Sequence, residues 1–282
     1  MEISNLYGNF RYVAPYEWLI NMDIREYDLK QANISVLKQM NILSDDLYNK
    51  LKNSEKMNRE VYIGKMIRKN PDIVKAIKSG ITEARRLFFQ SNNLDDMNVL
   101  YIDNDSITTI QPFGYKPIIK YTKFSDYIEF RQKNSYTSFY RLPDMDFLYF
   151  NNGSVESFRL KNVDSNRVSS IHKGYFMDLL LSIAYMIQNR QLVDCINIIR
   201  DMYNEYVTRS MDIDYYREFN SRSMYKVLNT NAYIYYSDVI PNASDINFID
   251  ISYNASILQL FYKILMKEYF RKRKWYDLYN KK

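Results

Sequence analysis

The sequence predicts an α+β protein: a mixed N-terminal region built on an antiparallel β-sheet, followed by a helical C-terminal region. Three observations carry this. Apolar residues recur at helical steps through residues 73–88, switch to a period of two between 98 and 160, and return to helical spacing from residue 173 onward. No Gly-, Ser- or Pro-rich linker, low-complexity tract or internal repeat interrupts the chain. The change of period near 162–172 therefore sets the expected division, one region over 1–165 and a second over 166–282.

Taken in order, Glu17-Trp18-Leu19-Ile20-Asn21-Met22 reads as a strand and 29–40 as a helical region. Ser44 before Asp45 and Asp46 is a helix start, because a serine oxygen accepts from an orphan backbone N–H and acids answer the positive end of the helix dipole. Asn70-Pro71-Asp72 is a second start: Asn70 caps, Pro71 has no N–H to leave unpaired, and Asp72 again suits the dipole. Ile73, Ile77, Ile81 and Ala84, continued by Leu87 and Phe88, give that helix (71–90) its apolar face. Gly80 interrupts it at a cost of ~1 kcal/mol relative to Ala. Strands are expected at 99–102, 106–111, 117–121, 127–131, 137–142 and 147–150, with Asn151-Asn152-Gly153 as a turn suited to positive φ. Phe176, Leu179, Leu180, Ile183 and Met186 form one later helical face, and Leu192, Cys195, Ile196, Ile199 and Tyr203 another. A last helix covers 256–269 and ends in Arg271-Lys272-Arg273-Lys274-Trp275.

Composition excludes several classes. Cys195 is the single cysteine, so no disulfide forms within the chain, and its helical spacing among apolar residues makes it a core residue. His172, the single histidine, removes multi-His and Cys–His zinc sites and reads as a residue at the start of the following helix. No apolar run approaches the ~20 residues of a membrane helix, and the start Met1-Glu2-Ile3-Ser4-Asn5 lacks a secretory pattern. A cytoplasmic protein with no membrane role is the expectation. The 28 tyrosines against six glycines and six prolines, with abundant Asn, Ile and Lys, read as AT-rich coding, as in many phages of low-GC bacteria; the compartment is then the host cytoplasm. A net charge of +6 and a pI near 9.0 favour a polyanionic partner.

The most informative stretch is 99–110, in which strand-forming residues flank Asp103-Asn104-Asp105 as a tight hairpin with carboxylates at its tip. Hard divalent cations prefer such oxygens. Tyr101-Ile102-Asp103-Asn104-Asp105-Ser106 resembles the metal-binding hairpin of palm-domain, template-dependent polymerases. It is similar to the Tyr-Gly-Asp-Thr-Asp-Ser motif of family B DNA polymerases and, more loosely, to the Tyr-x-Asp-Asp of reverse transcriptases. The run from Asp23 to Leu37 resembles motif A, in which an Asp ends a strand and enters a short helix. Asp28 matches that Asp, with Asp23 and Glu26 as alternatives, and Asn33 falls where related families carry a sugar-screening residue. Asp28 and Asp105 lie 77 positions apart, in the order palms require.

The resemblance covers about residues 21–110. It implies a palm-like first region, a thumb-like second one, and Mg²⁺ or Mn²⁺ held by Asp28, Asp103 and Asp105, with Asp105 outranking Asp103. It also implies that Lys133 and Tyr136, in a basic, Tyr-containing segment after the hairpin, track nucleic-acid phosphates. The pattern departs from the family in one respect: Arg59 to Lys69 does not have motif B spacing. From the residues alone, Arg59 and Lys65 sit in a basic helical cluster suited to a triphosphate, or to solvent. Arg217 and Arg222 lie in the polar-aromatic patch Tyr215 to Ser223, which suits either base stacking or packing on a sheet. Arg271, Lys272, Arg273 and Lys274 suit nucleic acid or a helix C-terminus. Three readings follow: a minimal nucleotidyltransferase or one subunit of a split polymerase; a non-catalytic polymerase-like DNA-binding subunit or transcription factor; and a phage structural or host-interaction protein with no nucleic-acid role.

Overall fold

Twelve consecutive residues, Trp18–Leu29, form the long strand β2 around which the first part of the protein is arranged in the computed structural model. The structure describes residues 6–143, 145–162, 175–189, 191–210, 224–227, 229–235, 246–247 and 251–279, without the side chains at 175–177, 224–226, 233, 235, 246–247, 251–254 and 272–279. The chain forms two compact units, one of Met1–Tyr16 with Asn21–Thr137 and one of Glu17–Ile20 with Ser138–Lys282.

The first unit begins with β1 (Arg11–Val13) and the main part of β2. Four helices follow: α1 (Ala32–Gln39), α2 (Asp45–Lys52), α3 (Lys56–Lys69) and α4 (Asp72–Asn92). The hairpin of β3 (Val99–Asp103) and β4 (Ser106–Pro112) and the start of β5 (Phe130–Leu142) complete it. In space the strands run β1-β3-β4-β2-β5, with β4 antiparallel to both β3 and β2. Two starts predicted from sequence hold in atomic detail. The Ser44 hydroxyl accepts from the Leu47 N–H at 3.3 Å, and Asn70 Oδ1 accepts from the Asp72 N–H at 3.0 Å.

One sheet face carries Tyr27, Leu29, Val99, Ile102 and Ile107 into a core shared with Ile73, Ile77, Ile81, Phe88 and Phe89 of α4 and with Val36 and Leu37 of α1. Phe88 stands 4.6 Å from Phe130 and 5.5 Å from Tyr27, centroid to centroid, in tilted pairs that add specificity to area burial. Gly80 has a packing reason: a Cβ there would lie 2.6 Å from the Cβ of Val36, so its absence lets α1 and α4 approach.

Three expectations are corrected. β2 does not stop at residue 22; it continues through Asp23, Arg25, Glu26 and Asp28, whose charges are met within the unit. Arg25 pairs with Asp23 at 2.8 Å, and Asn134 donates to Glu26 at 2.7 Å. The strands expected at 127–131 and 137–142 are one strand, β5, because backbone pairing carries it across the exposed polar run Arg131-Gln132-Lys133, where hydrophobic periodicity disappears. Residues 117–121 are not a strand, since side-chain amides hold their backbone instead of a neighbouring ladder.

In the second unit the end of β5 pairs with β6 (Met145–Asn151), which pairs with β7 (Glu156–Lys161). α5 (Tyr175–Gln188), α6 (Leu192–Thr208) and α7 (Ile251–Tyr279) supply its helices. Their core combines Ile183, Cys195, Ile199, Phe261 and Leu265 with Tyr140 and Phe147 of the sheet. The helical region also holds a small sheet, β8 (Met224–Val227) between β10 (Ile246–Asn247) and β9 (Tyr233–Tyr235), which helical spacing did not anticipate. Cys195 is buried as expected, and burial pushes its thiol up to about 12. His172 lies outside the described residues. Among the described residues no helix is long and apolar enough to cross a membrane. The fold class is α+β, with sheet and helices mixed in the first unit and most of the described residues from 175 onward helical.

Candidate functional site

Two backbone connections bring the predicted carboxylates together. Antiparallel register sets Asp28, one residue before the end of β2, opposite Ser106 at the start of β4. The Leu29 N–H then donates to the Asp105 carbonyl at 3.1 Å, tying the end of β2 to the tip of the hairpin. The tip turns through Asn104 at φ 51, a left-handed conformation that Asn tolerates better than most residues. Its N–H donates to the Phe10 carbonyl at 2.8 Å, and its side chain donates to Asp103 Oδ1 at 3.3 Å. Asp103 is exposed and Asp105 half-buried, so the two acids of the turn stand in different environments.

Burial, joined by the nearby negative charges of Asp28 and Asp103, raises the Asp105 carboxyl above the ordinary aspartate range; its own backbone hydrogen bond and Lys133 act against this. Lys133 reaches over from β5 and places its ammonium 2.7 Å from Asp28 Oδ2. Behind the hairpin lies Arg85 of α4, fully buried, whose guanidinium donates to the Asn9 carbonyl and stacks 4.5 Å from the centre of the Phe10 ring. Burial lowers its pKa to about 10, partly offset by the negative charge of Asp105, and it remains a cation at neutral pH. Its Nε and Nη2 have no hydrogen-bond partner among the described residues.

Asp28 and Asp105 open onto a cleft of about 730 Å³ within the first unit. Five cations line it, Lys56, Arg59, Lys78, Arg131 and Lys133, against three acids, Asp28, Glu60 and Asp105. Ile63, Ile67, Ile77 and Ile81 add an apolar wall from α3 and α4, and Phe10 closes one side. This combination of a carboxylate pair, surplus positive charge and an apolar strip suits a ligand that is both anionic and partly apolar.

Of the residues singled out from sequence, Asp28, Asp105, Asn33, Arg59 and Lys133 meet at this cleft. Asp103 belongs to the same turn but is not among the residues lining the cleft. Lys65 is exposed on α3 and likewise does not line it. Tyr136 is 4% exposed within β5. Arg271 pairs with Glu268 at 3.0 Å on α7 of the second unit. Lys272, Arg273 and Lys274 continue α7, with side chains outside the described ones, and Arg217 and Arg222 lie outside the described residues altogether. Among the described residues no three His, Cys, Asp or Glu converge as a ready-made metal cage.

Sequence reasoning missed Lys56, Lys78, Arg85 and Phe10, whereas Arg131 opens the basic, Tyr-containing segment marked around Lys133. One signal was available: Arg85 follows Ile73, Ile77 and Ile81 at the next helical step, an arginine set into an apolar stripe. Phe10 carried no such mark, since its place depends on the return of β1 beside β3.

Residues 1–267 match the family model described as bacteriophage PBS1 gene 130 protein. The chain belongs to that family. No curated protein matches it. The PBS1 gene 130 match takes in the whole cleft, from Phe10 to Lys133, and so this site lies inside the family's shared segment.

Proposed function

We propose that this phage-family protein is a palm-type nucleotidyltransferase acting on nucleic acid, with Asp28 and Asp105 as its metal-holding carboxylates. The observation that supports this most is the register of β2 with the hairpin, Asp28 opposite Ser106 and Leu29 bonded to Asp105. The two motifs that resemble those of palm polymerases thus lie on paired strands of one sheet. Magnesium is commonly bound by one or two carboxylates together with substrate phosphates, rather than by an all-protein cage. A carboxylate pair facing a cationic wall fits an ion that arrives with its nucleotide. A bound divalent cation supplies charge neutralisation for the phosphates and a lowered pKa for an attacking hydroxyl. Arg59, Lys56 and Lys78 would neutralise the triphosphate, the isoleucine strip would receive the base, and Asn33, exposed at the start of α1, would stand beside the sugar.

A second reading, a non-catalytic polymerase-like subunit that grips nucleic acid, has its own observation. Lys133 already pairs with Asp28, and among the described residues no group of three His, Cys, Asp or Glu forms a cage around the pair. In that case the partner is another subunit of a split polymerase or of a transcription complex. Primer extension on a labelled duplex with Mg²⁺ or Mn²⁺ and all nucleotides separates the two. Extension by the wild type and its loss in Asp105→Asn is the result expected of the enzyme. Salt-sensitive duplex binding without extension, retained in the variant, would replace the first reading with the second.

A further inference from the structure

The segment that follows β4 has no ladder of its own, yet its backbone is held at four points by two buried side chains. Gln111, 5% exposed, donates to the Tyr115 carbonyl at 3.2 Å and accepts from the Ile118 N–H at 2.8 Å, while also donating to Asp23 at 3.0 Å. Asn92, 6% exposed at the end of α4, accepts from the N–H groups of Lys120 and Tyr121 at 2.7 and 2.9 Å and donates to the Tyr121 carbonyl at 2.8 Å. With the bond from Asn92 to the Phe88 carbonyl at 2.9 Å, each amide nitrogen donates twice, and the loop is fixed although it is irregular.

What this fixed loop displays is unusual for a surface. Phe113, Tyr115 and Tyr121 are 67, 71 and 57% exposed, three large rings that folding leaves in water. Gly114, at φ 87, supplies the turn between the first two, a conformation that a side chain there would strain. The charges around them have one sign: between Pro112 and Ser125 there are three lysines, Lys116, Lys120 and Lys123, and no carboxylate. Lys123 has an ion partner, Asp126 at 4.0 Å, whereas Lys116 and Lys120 are exposed without one among the described residues. Ile118 and Ile119 anchor the loop by packing on the core, so the exposed rings are not needed to hold it in place.

We propose that the loop over 113–121 is a stacking surface for single-stranded nucleic acid, with Phe113, Tyr115 and Tyr121 taking base faces and Lys116 and Lys120 taking phosphates. Rings and cations together on a rigid backbone are what sequence-tolerant single-strand binding uses, because every base has a π-face and every linkage a charge. An acidic or purely apolar partner is less well matched: the lysines would meet no phosphate-like array, and tyrosine hydroxyls would be desolvated. The surface lies outside the cleft, at the far end of β4 from Asp105, roughly 20 Å along the strand. It therefore stands whether or not the cleft performs nucleotidyl transfer.

The test is fluorescence anisotropy of the full-length protein with labelled oligo(dT) and oligo(rU) of about twenty nucleotides, at several salt concentrations. Phe113→Ala, Tyr115→Ala and Tyr121→Ala each weaken binding about 5- to 100-fold, and Val193→Ala, at an exposed position on α6, leaves it unchanged. Lys116→Gln and Lys120→Gln each reduce the slope of log affinity against log salt by about 0.7. Unchanged circular dichroism melting of these surface variants separates lost contacts from lost fold. Equal affinity of wild type and the three ring variants would overturn the stacking surface, and so would absence of binding by the wild type, which would leave the rings to a protein partner.

Discussion

Asp105 is a carboxyl group set where ionisation is unfavourable, between burial and two other acids. Burial raises its native pKa above the unfolded value of about 3.9, so the native state holds the proton more strongly. The group's contribution to stability is then fullest below that unfolded value and falls as pH rises through the native one. Asp105→Asn removes this dependence. Relative to wild type its melting temperature is expected to rise between pH 4 and pH 7, while nucleotide transfer drops by on the order of 100-fold or more. An equal melting difference at both pH values would refute the electrostatic part. Arg85 gives the complementary case. Its guanidinium is buried with two nitrogens, Nε and Nη2, that have no hydrogen-bond partner among the described residues, a placement that stability alone does not favour. Arg85→Met is expected to stay within about 1 kcal/mol of wild type in urea denaturation and to raise the Asp105 titration further, read by carboxyl NMR. A large loss of stability with no movement of Asp105 would make Arg85 a structural residue only.

At the scale of elements, α1 and α4 show how a local cost becomes a packing requirement. Gly80 weakens α4 as an isolated helix, and Ala there would add ~1 kcal/mol of propensity. In place, the added carbon would meet Val36 at 2.6 Å, closer than two such atoms approach. Gly80→Ala is therefore expected to lower stability by roughly 1–3 kcal/mol, and a Val36→Ala background is expected to recover part of that loss, a coupling that a double-mutant cycle in urea measures. Strict additivity would remove the packing account. The same contact explains what the sequence could and could not convey. Caps at Ser44 and Asn70 depend on neighbours three residues apart or fewer and were legible. The reason for Gly80 depends on a residue 44 positions away and was not. Hydrophobic periodicity divides β5 in two because its centre is exposed and polar, and it marks 117–121 as a strand because Ile118 and Ile119 are apolar, although side-chain amides take up the backbone at Ile118 and Lys120.

For the whole molecule, the cleft follows from the order in which chain segments return to the first unit's sheet. Asp28 and Asp105 were recognisable because each sits in a short motif; Lys56 and Lys78 are cations of ordinary context that only the fold gathers. That gathering makes ligand binding a property of assembled elements, and it gives a linkage that can be measured without an assay for catalysis. With Lys133 on Asp28 and no three-residue metal cage among the described residues, a bare divalent ion meets the carboxylate pair and a competing ammonium. A nucleotide without metal brings phosphates toward both the cations and the ionised carboxylates. Together they balance, the metal between phosphate and carboxylate and the lysines on the remaining oxygens. Thermal melting is thus expected to respond little to Mg²⁺ alone or to nucleoside triphosphate alone, and to both by about 2.7 kcal/mol at a hundredfold excess over Kd. Lys133→Met should let Mg²⁺ act by itself, since it frees Asp28 from its internal counter-ion. If Mg²⁺ and nucleotide shift melting independently and additively, the carboxylate pair and the cationic wall serve separate ligands, and the cleft is not a site for a metal–nucleotide complex.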